Sequence, residues 1–154
     1  MPTQIKEHRI SAAGIIIHRK KILLVRYKNP NGTTYLVGPG GKVETQEDMH
    51  QTVIRETQEE TGLLVNPGKL LFVEDLLTSH HRMIKVWFFC SLAGGKLAKT
   101  HAAHDEGIID VAWYRKDQLA NETAYPAILM NIDWEAFTKK NFEAKYLGLN
   151  SADF

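Results

Sequence analysis

Short apolar runs rich in β-branched and aromatic residues, separated by polar turns, recur along most of the chain. "AAGIIIH" and "KILLVRY" flank a polar tip at Arg19 and Lys20 and predict a β-hairpin. "KNPNGTT" is rich in turn formers, and the short strand "YLV" then runs into the glycine-rich "GPGGK". The strongest helical pattern follows. Thr45 is its expected cap, Asp48 three residues on fits a loose capping box, and Gly62 suits a left-handed end. "KLLFVEDLL" and "MIKVWFFCSL" predict two strands around the polar loop "TSHHR". "GIIDVAWY" predicts another strand and "RKDQLA" a helical turn. "AYPAILMNIDWEAFTKK" predicts a C-terminal helix, with Pro126 tolerable only in its first turn. Strands outnumber helices without regular alternation, so the expected class is α+β, with helices packed on a mixed sheet.

Composition narrows the function classes. A chain of 154 residues with no repeat, low-complexity tract or linker is expected to form a single domain over 1–154, with its core at about 11–140. A formal net charge of +1 gives no basis for a nucleic-acid platform or a membrane patch. The single cysteine, Cys90, excludes an internal disulfide and a four-cysteine zinc site, and its apolar run "VWFFC" reads as core. "MPTQIKEHRI" does not read as a signal peptide and "GIIIHRKKILLV" is too charged to span a bilayer, so a cytoplasmic location is expected.

The chemistry concentrates in "RETQEETG", Arg55 to Gly62. At about 100° per residue, Met49, Val53, Glu56 and Glu60 fall within an arc of roughly 60°, so two glutamates continue an apolar stripe. Glu59 stands beside them, within reach of Arg55 at i,i+4. Like charges about 4 Å apart near a protein surface repel by roughly 4 kcal/mol before screening. A bound divalent cation reverses that sign, and carboxylates suit magnesium and manganese. An EF-hand-type calcium site does not fit, because the acids lie on a helix rather than alternating along a loop.

From Gly41 to Leu63 the chain reads "GKVETQEDMHQTVIRETQEETGL". This resembles the Nudix hydrolase signature: Gly, five residues, Glu, seven residues, Arg-Glu, an apolar residue, any residue, Glu-Glu, any residue, Gly, apolar. Every charged and glycine position matches, and Thr57 alone departs, standing where the family usually has an aliphatic residue. The opening hairpin, "PGG" with "VE", and "DEGIIDVAWY" extend the resemblance over about 11–119. It implies a Nudix fold, an α/β/α sandwich with a mixed sheet between helices. It also implies hydrolysis of a nucleoside diphosphate linked to another group, with Mg2+ or Mn2+.

By the same resemblance Glu59 and Glu60 are metal ligands, Glu56 is a further ligand or orients the water, and the Gly41 or Gly40 carbonyl joins the metal shell. Glu47 and Arg55 hold the acids in place. The general base is Glu56, or else Glu106 or Asp105 on a later loop, and Glu44 has either a structural or a metal role. Arg26, Lys42, His80 and Arg82 are candidate substrate contacts, His80 and Arg82 because their loop often borders the nucleotide in this family. His101 and His104 with Asp105 read as a polar loop rather than a second metal site, and Trp87, Trp113 and Trp134 as core. The marks of ADP-ribose, dinucleoside polyphosphate and coenzyme A hydrolases are missing. A small-molecule nucleotide, a triphosphate first, is therefore the expected substrate, with ADP-ribose or a nucleotide sugar as the alternative. A non-catalytic nucleotide sensor is the rival of another class, and either a monomer or a homodimer is compatible.

Overall fold

The computed structural model describes residues 6–152. The N-terminal hairpin is formed by β1 (Glu7–His18) and β2 (Lys21–Lys28). Arg19 and Lys20 sit at its tip with φ of 51° and 65°. Two central residues at positive φ give the turn whose twist matches that of the flanking strands. β3 (Thr34–Val37) pairs antiparallel with β2, and β4 (Gly40–Lys42) antiparallel with β1. β5 (Leu63–Leu77) and β6 (His81–Gly95) form a long antiparallel pair, and β6 runs parallel to β1. β7 (Ile108–Tyr114) adds to β2, β8 (Ala124–Tyr125) to β3, and β9 (Lys145–Ser151) lies parallel to the outer edge of β5. The sheet order is β8-β3-β2-β1-β6-β5-β9, a mixed sheet in an α+β molecule. β9 arises from the tail "YLGLNS", which lies beyond the stretch covered by the signature resemblance.

Helix α1 (Met49–Thr61) begins later than its sequence suggests. Asp48, not Thr45, is the cap: its Oδ1 accepts the Gln51 N–H at 2.8 Å while Gln51 Oε1 accepts the Asp48 N–H at 2.7 Å. The reason lies in the preceding turn. The Glu47 N–H donates to the Glu44 carbonyl, and the Glu47 carboxylate accepts the Glu44 N–H, so 44–47 is committed before the helix starts. Gly62 ends α1 at φ 78°, donating its N–H to the Gln58 carbonyl. A second, five-residue helix, α2 (His101–Asp105), is capped by Thr100.

The expected C-terminal α-helix is not formed. Two 3-10 turns, Ala127–Met130 and Trp134–Thr138, replace it. Asn131 and Asp133 interrupt the apolar periodicity, and the Asp133 side chain accepts the Glu135 N–H to start the second turn. Short polar side chains that bond the nearby backbone favour such breaks over helix interiors. No helix among the described residues is long and apolar enough to cross a membrane.

Side chains alternate across the central strands into two cores. Ala13, Ile15, Leu24, Phe72 and Trp87 face the layer built by Leu119, Leu129, Trp134 and Phe137. Ala12, Ile16, Leu23 and Cys90 face Val53 of α1. Trp87 and Trp134 are thus core, with Trp113 packed partly buried at the second core, and burial pushes the Cys90 thiol up to about 12.

Candidate active site

The face that α1 turns to the sheet starts with Val53 and continues with Glu56, Thr57 and Glu60. Glu56 is 7% exposed and Glu60 0%. Neither carboxylate oxygen of Glu60 has a hydrogen-bond partner, and neither does the Thr57 hydroxyl. Burial first, then the charges of Glu56 and Glu106, push the Glu60 carboxyl well above the usual carboxylate range. Burial also raises Glu56, against the opposing pull of Arg55. Glu59, at the edge of the face, is partly exposed.

Arg55 organises the rim. Its Nε and Nη2 donate to the two oxygens of Glu47 at 3.1 and 2.6 Å, a bidentate pair. Its Nη1 donates to Glu56 Oε1 at 2.8 Å and to Glu59 Oε2 at 3.3 Å, and Nη2 also reaches the Lys42 carbonyl at 3.2 Å. The Arg55 hydrogen bonds hold the Glu47 carboxyl down at about 2. Thr52 Oγ1 donates to the same carboxylate at 2.8 Å. One guanidinium therefore fixes three acids of the box and ties the loop before α1 to the helix.

Two further segments close the site. β4 passes so near that a Cβ on Gly41 would stand 2.6 Å from the Glu56 carboxyl carbon and Oε1. Only glycine leaves that space to the carboxylate. Glu106 arrives as the C-cap of α2 rather than from an open loop. The Thr100 hydroxyl that caps α2 also donates to the Glu59 carbonyl, which docks α2 on α1. Carboxylate oxygens of Glu56, Glu59 and Glu106 thereby lie within 4.8 Å of one another. Burial, then the charges of Glu56 and Glu59, raise the Glu106 carboxyl. Three hard oxygen donors converging on one point, with an unpartnered buried carboxylate behind them, fit a divalent cation of the magnesium or manganese type.

The structure thus brings together Glu47, Arg55, Glu56, Glu59, Glu60, Gly41 and Glu106. It holds the candidate substrate contacts in other interactions. Arg26 is paired with Glu122 at 2.7 Å and donates to Thr34 Oγ1, Arg82 is paired with Asp75, and Lys42 Nζ lies 3.5 Å from Glu7. The His80 and His81 N–H groups bond Thr78 Oγ1 in the β5–β6 turn. His101, His104 and Asp105 are exposed on α2, apart from the converging acids.

Three residues escaped the sequence reading. Tyr27 is raised by burial and by the nearby charges of Glu60 and Glu106, so its hydroxyl shares the acids' surroundings. Glu74, 7% exposed, accepts the Trp87 Nε1–H at 2.6 Å, and Lys85 lies with its ammonium 4.5 Å from the centre of the Trp87 ring. The available signal was an acid within the apolar run "KLLFVEDLL" and a lysine within "MIKVWFFC".

The model of the NUDIX domain family matches residues 8–132. The chain belongs to the Nudix family. Among curated relatives, the ADP-ribose pyrophosphatase of Methanocaldococcus jannaschii is 33% identical over 104 residues, covering 66% of this chain and 62% of that protein. The 8-oxo-dGDP phosphatase of Mus musculus is 36% identical over 88 residues, covering 57% of this chain and 25% of that protein. This Nudix chain therefore spans less than two thirds of the length of either relative. Among solved structures, an ADP-ribose pyrophosphatase of Streptococcus suis superposes with a TM-score of 0.68 at 21% identity, covering 90% of this chain and 98% of that one. At that identity the likeness speaks for the fold.

Proposed function

We propose that this Nudix protein hydrolyses a phosphoric anhydride bond in a nucleoside diphosphate linked to another group. The observation that carries the reading is the convergence of Glu56, Glu59 and Glu106 beside the Gly41 backbone, with Glu60 unpartnered behind them. Mg2+ or Mn2+ held by Glu59, Glu60 and Glu106 would neutralise charge on the diphosphate and acidify a bound water. Arg55 occupies Glu56 Oε1, which leaves Oε2 as the atom to take the proton from the attacking water. As the water oxygen bonds to phosphorus, the bridging P–O bond breaks and the leaving phosphate departs with the bridging oxygen. Glu47 holds the Arg55 guanidinium, and through it the orientation of Glu56 and Glu59.

The first substrate reading is a nucleoside triphosphate cut to monophosphate and pyrophosphate. The second, ADP-ribose or a nucleotide sugar, draws on the name of the Methanocaldococcus relative. The test is phosphate release with magnesium across triphosphates, ADP-ribose, nucleotide sugars and dinucleoside polyphosphates, coupled separately to inorganic pyrophosphatase and to alkaline phosphatase. Phosphate released through pyrophosphatase identifies the triphosphate reaction, and phosphate released through alkaline phosphatase with none through pyrophosphatase identifies the linked diphosphate. Glu59→Gln should lower either signal about 100-fold or more. An unaffected mutant would remove Glu59 from the proposed machinery.

A further inference from the structure

Three buried threonines lie on α1, and two of them have work for their hydroxyl. Thr52 Oγ1 donates to the Glu47 carboxylate at 2.8 Å, and Thr61 Oγ1 to the Thr57 carbonyl, one turn back, at 2.6 Å. Thr57 differs. It is 0% exposed, and its hydroxyl has no hydrogen-bond partner among the described residues, the Val53 carbonyl one turn back included. A buried hydroxyl left unpaired lowers stability, and an aliphatic side chain of the same shape would not. The Nudix signature usually has an aliphatic residue here, so this chain carries a polar group that its packing does not explain.

Three residues further on, Glu60 shows the complementary gap, fully buried with neither carboxylate oxygen hydrogen-bonded. The other box acids are held. Arg55 Nη1 donates to Glu56 Oε1 and to Glu59 Oε2, and Arg55 and Thr52 share Glu47. At about 100° per residue Glu60 has Glu56 on one flank, roughly 40° away, and Thr57 on the other, roughly 60° away. Glu56 brings it like charge, and Lys85 brings opposite charge without a hydrogen bond. Side chains three apart on a helix are neighbours, with Cβ atoms about 5–6 Å apart. Carboxylates that hold a metal are themselves held by hydrogen bonds, and Thr57 is the neighbour with a donor to spare.

We propose that Thr57 is a positioning residue for the metal centre, its hydroxyl donating to the Glu60 carboxylate when Glu60 turns an oxygen to the cation. The orphaned donor and the orphaned acceptor then satisfy each other. Stability given up in the cation-free chain reappears as cation affinity. This role rests on the cation-dependent hydrolase reading and adds to it a residue that the family signature does not use.

The test is Mn2+ binding, read from the electron paramagnetic resonance signal of the free ion, beside the cation-free melting temperature. Affinity should follow the hydroxyl, and stability the methyl group. Thr57→Val keeps the shape and loses the hydroxyl, so Mn2+ should bind about tenfold more weakly while the melting temperature holds or rises by about 2–4 °C. Thr57→Ser keeps the hydroxyl, so its affinity should stay within about twofold of wild type although its melting temperature falls. Thr57→Ala should lose both, and it carries the affinity comparison if Thr57→Val fails to fold. In a Glu60→Gln background Thr57→Val should weaken binding by less than about twofold further, since Thr57 acts through Glu60. Wild-type affinity in Thr57→Val, an equal loss in Thr57→Ser, or the full tenfold loss in the Glu60→Gln background would overturn the proposal. Failure of the two readings is separable. A wild-type chain that binds no Mn2+ would remove the cation reading together with the role of Thr57, whereas wild-type binding that Thr57→Val matches would remove Thr57 alone and leave the hydrolase.

Discussion

A carboxylate with no exposed surface and no donor at either oxygen, as at Glu60, is costly to ionise unless a cation stands against it. Its raised pKa sets the sign of a pH effect. The folded chain keeps a proton that the unfolded chain has released, so this residue's contribution to stability is complete at low pH and is lost as pH rises through the raised value. Glu60→Gln, which removes the ionisation, should therefore raise the cation-free melting temperature at pH 8 by about 2–4 °C, and the gain should shrink as pH falls into the ordinary carboxylate range. The same change should abolish any rise in melting temperature on adding magnesium with nucleotide. A scan in which wild type and mutant respond alike to pH and to magnesium would contradict both statements. The box acids were legible in the sequence because a run of fixed spacings on one helix carries its own geometry. Tyr27, Glu74 and Lys85 were not, because a single polar residue in an apolar strand acquires meaning only when the register shows what lies across from it.

Helix α1 and strand β4 act as a unit, since the carboxylate of one fills the space left by the missing side chain of the other. Gly41→Ala places a methyl group where Glu56 stands, so the prediction is a fall in kcat of about 100-fold, with the far-ultraviolet spectrum preserved. Near-normal turnover would show that β4 can withdraw without disturbing Glu56. The start of α1 was misread by three residues because Thr45 and Asp48 are both competent caps, and the bonds between Glu44 and Glu47 decide between them. The C-terminal helix was misread for a related reason. Its apolar spacing was helical, but Asn131 and Asp133 offered the backbone nearer partners, and the 3-10 turns still bring Leu129, Trp134 and Phe137 to the core.

Across the whole molecule, the layer opposite α1 depends on an aromatic cluster. Phe137, fully buried, meets Phe72, Phe89 and Phe142 at ring separations of 5.7, 6.1 and 5.5 Å. Phe137→Ala should cost about 3–5 kcal/mol in denaturant unfolding. A loss below about 1 kcal/mol would mean that this layer is dispensable. The α+β class could be read from the order of the runs, but the strand order could not, because the parallel contact of β1 with β6 joins segments with no local signal between them. That non-local wiring also governs when the acids can meet. Glu56 and Glu106 are fifty residues apart along the chain, and Glu106 reaches its place only once α2 has docked on α1. A chain emerging from the ribosome carries the whole Nudix box well before it can present the third acid. Any ligand that needs both therefore selects finished molecules and draws the folding equilibrium towards them.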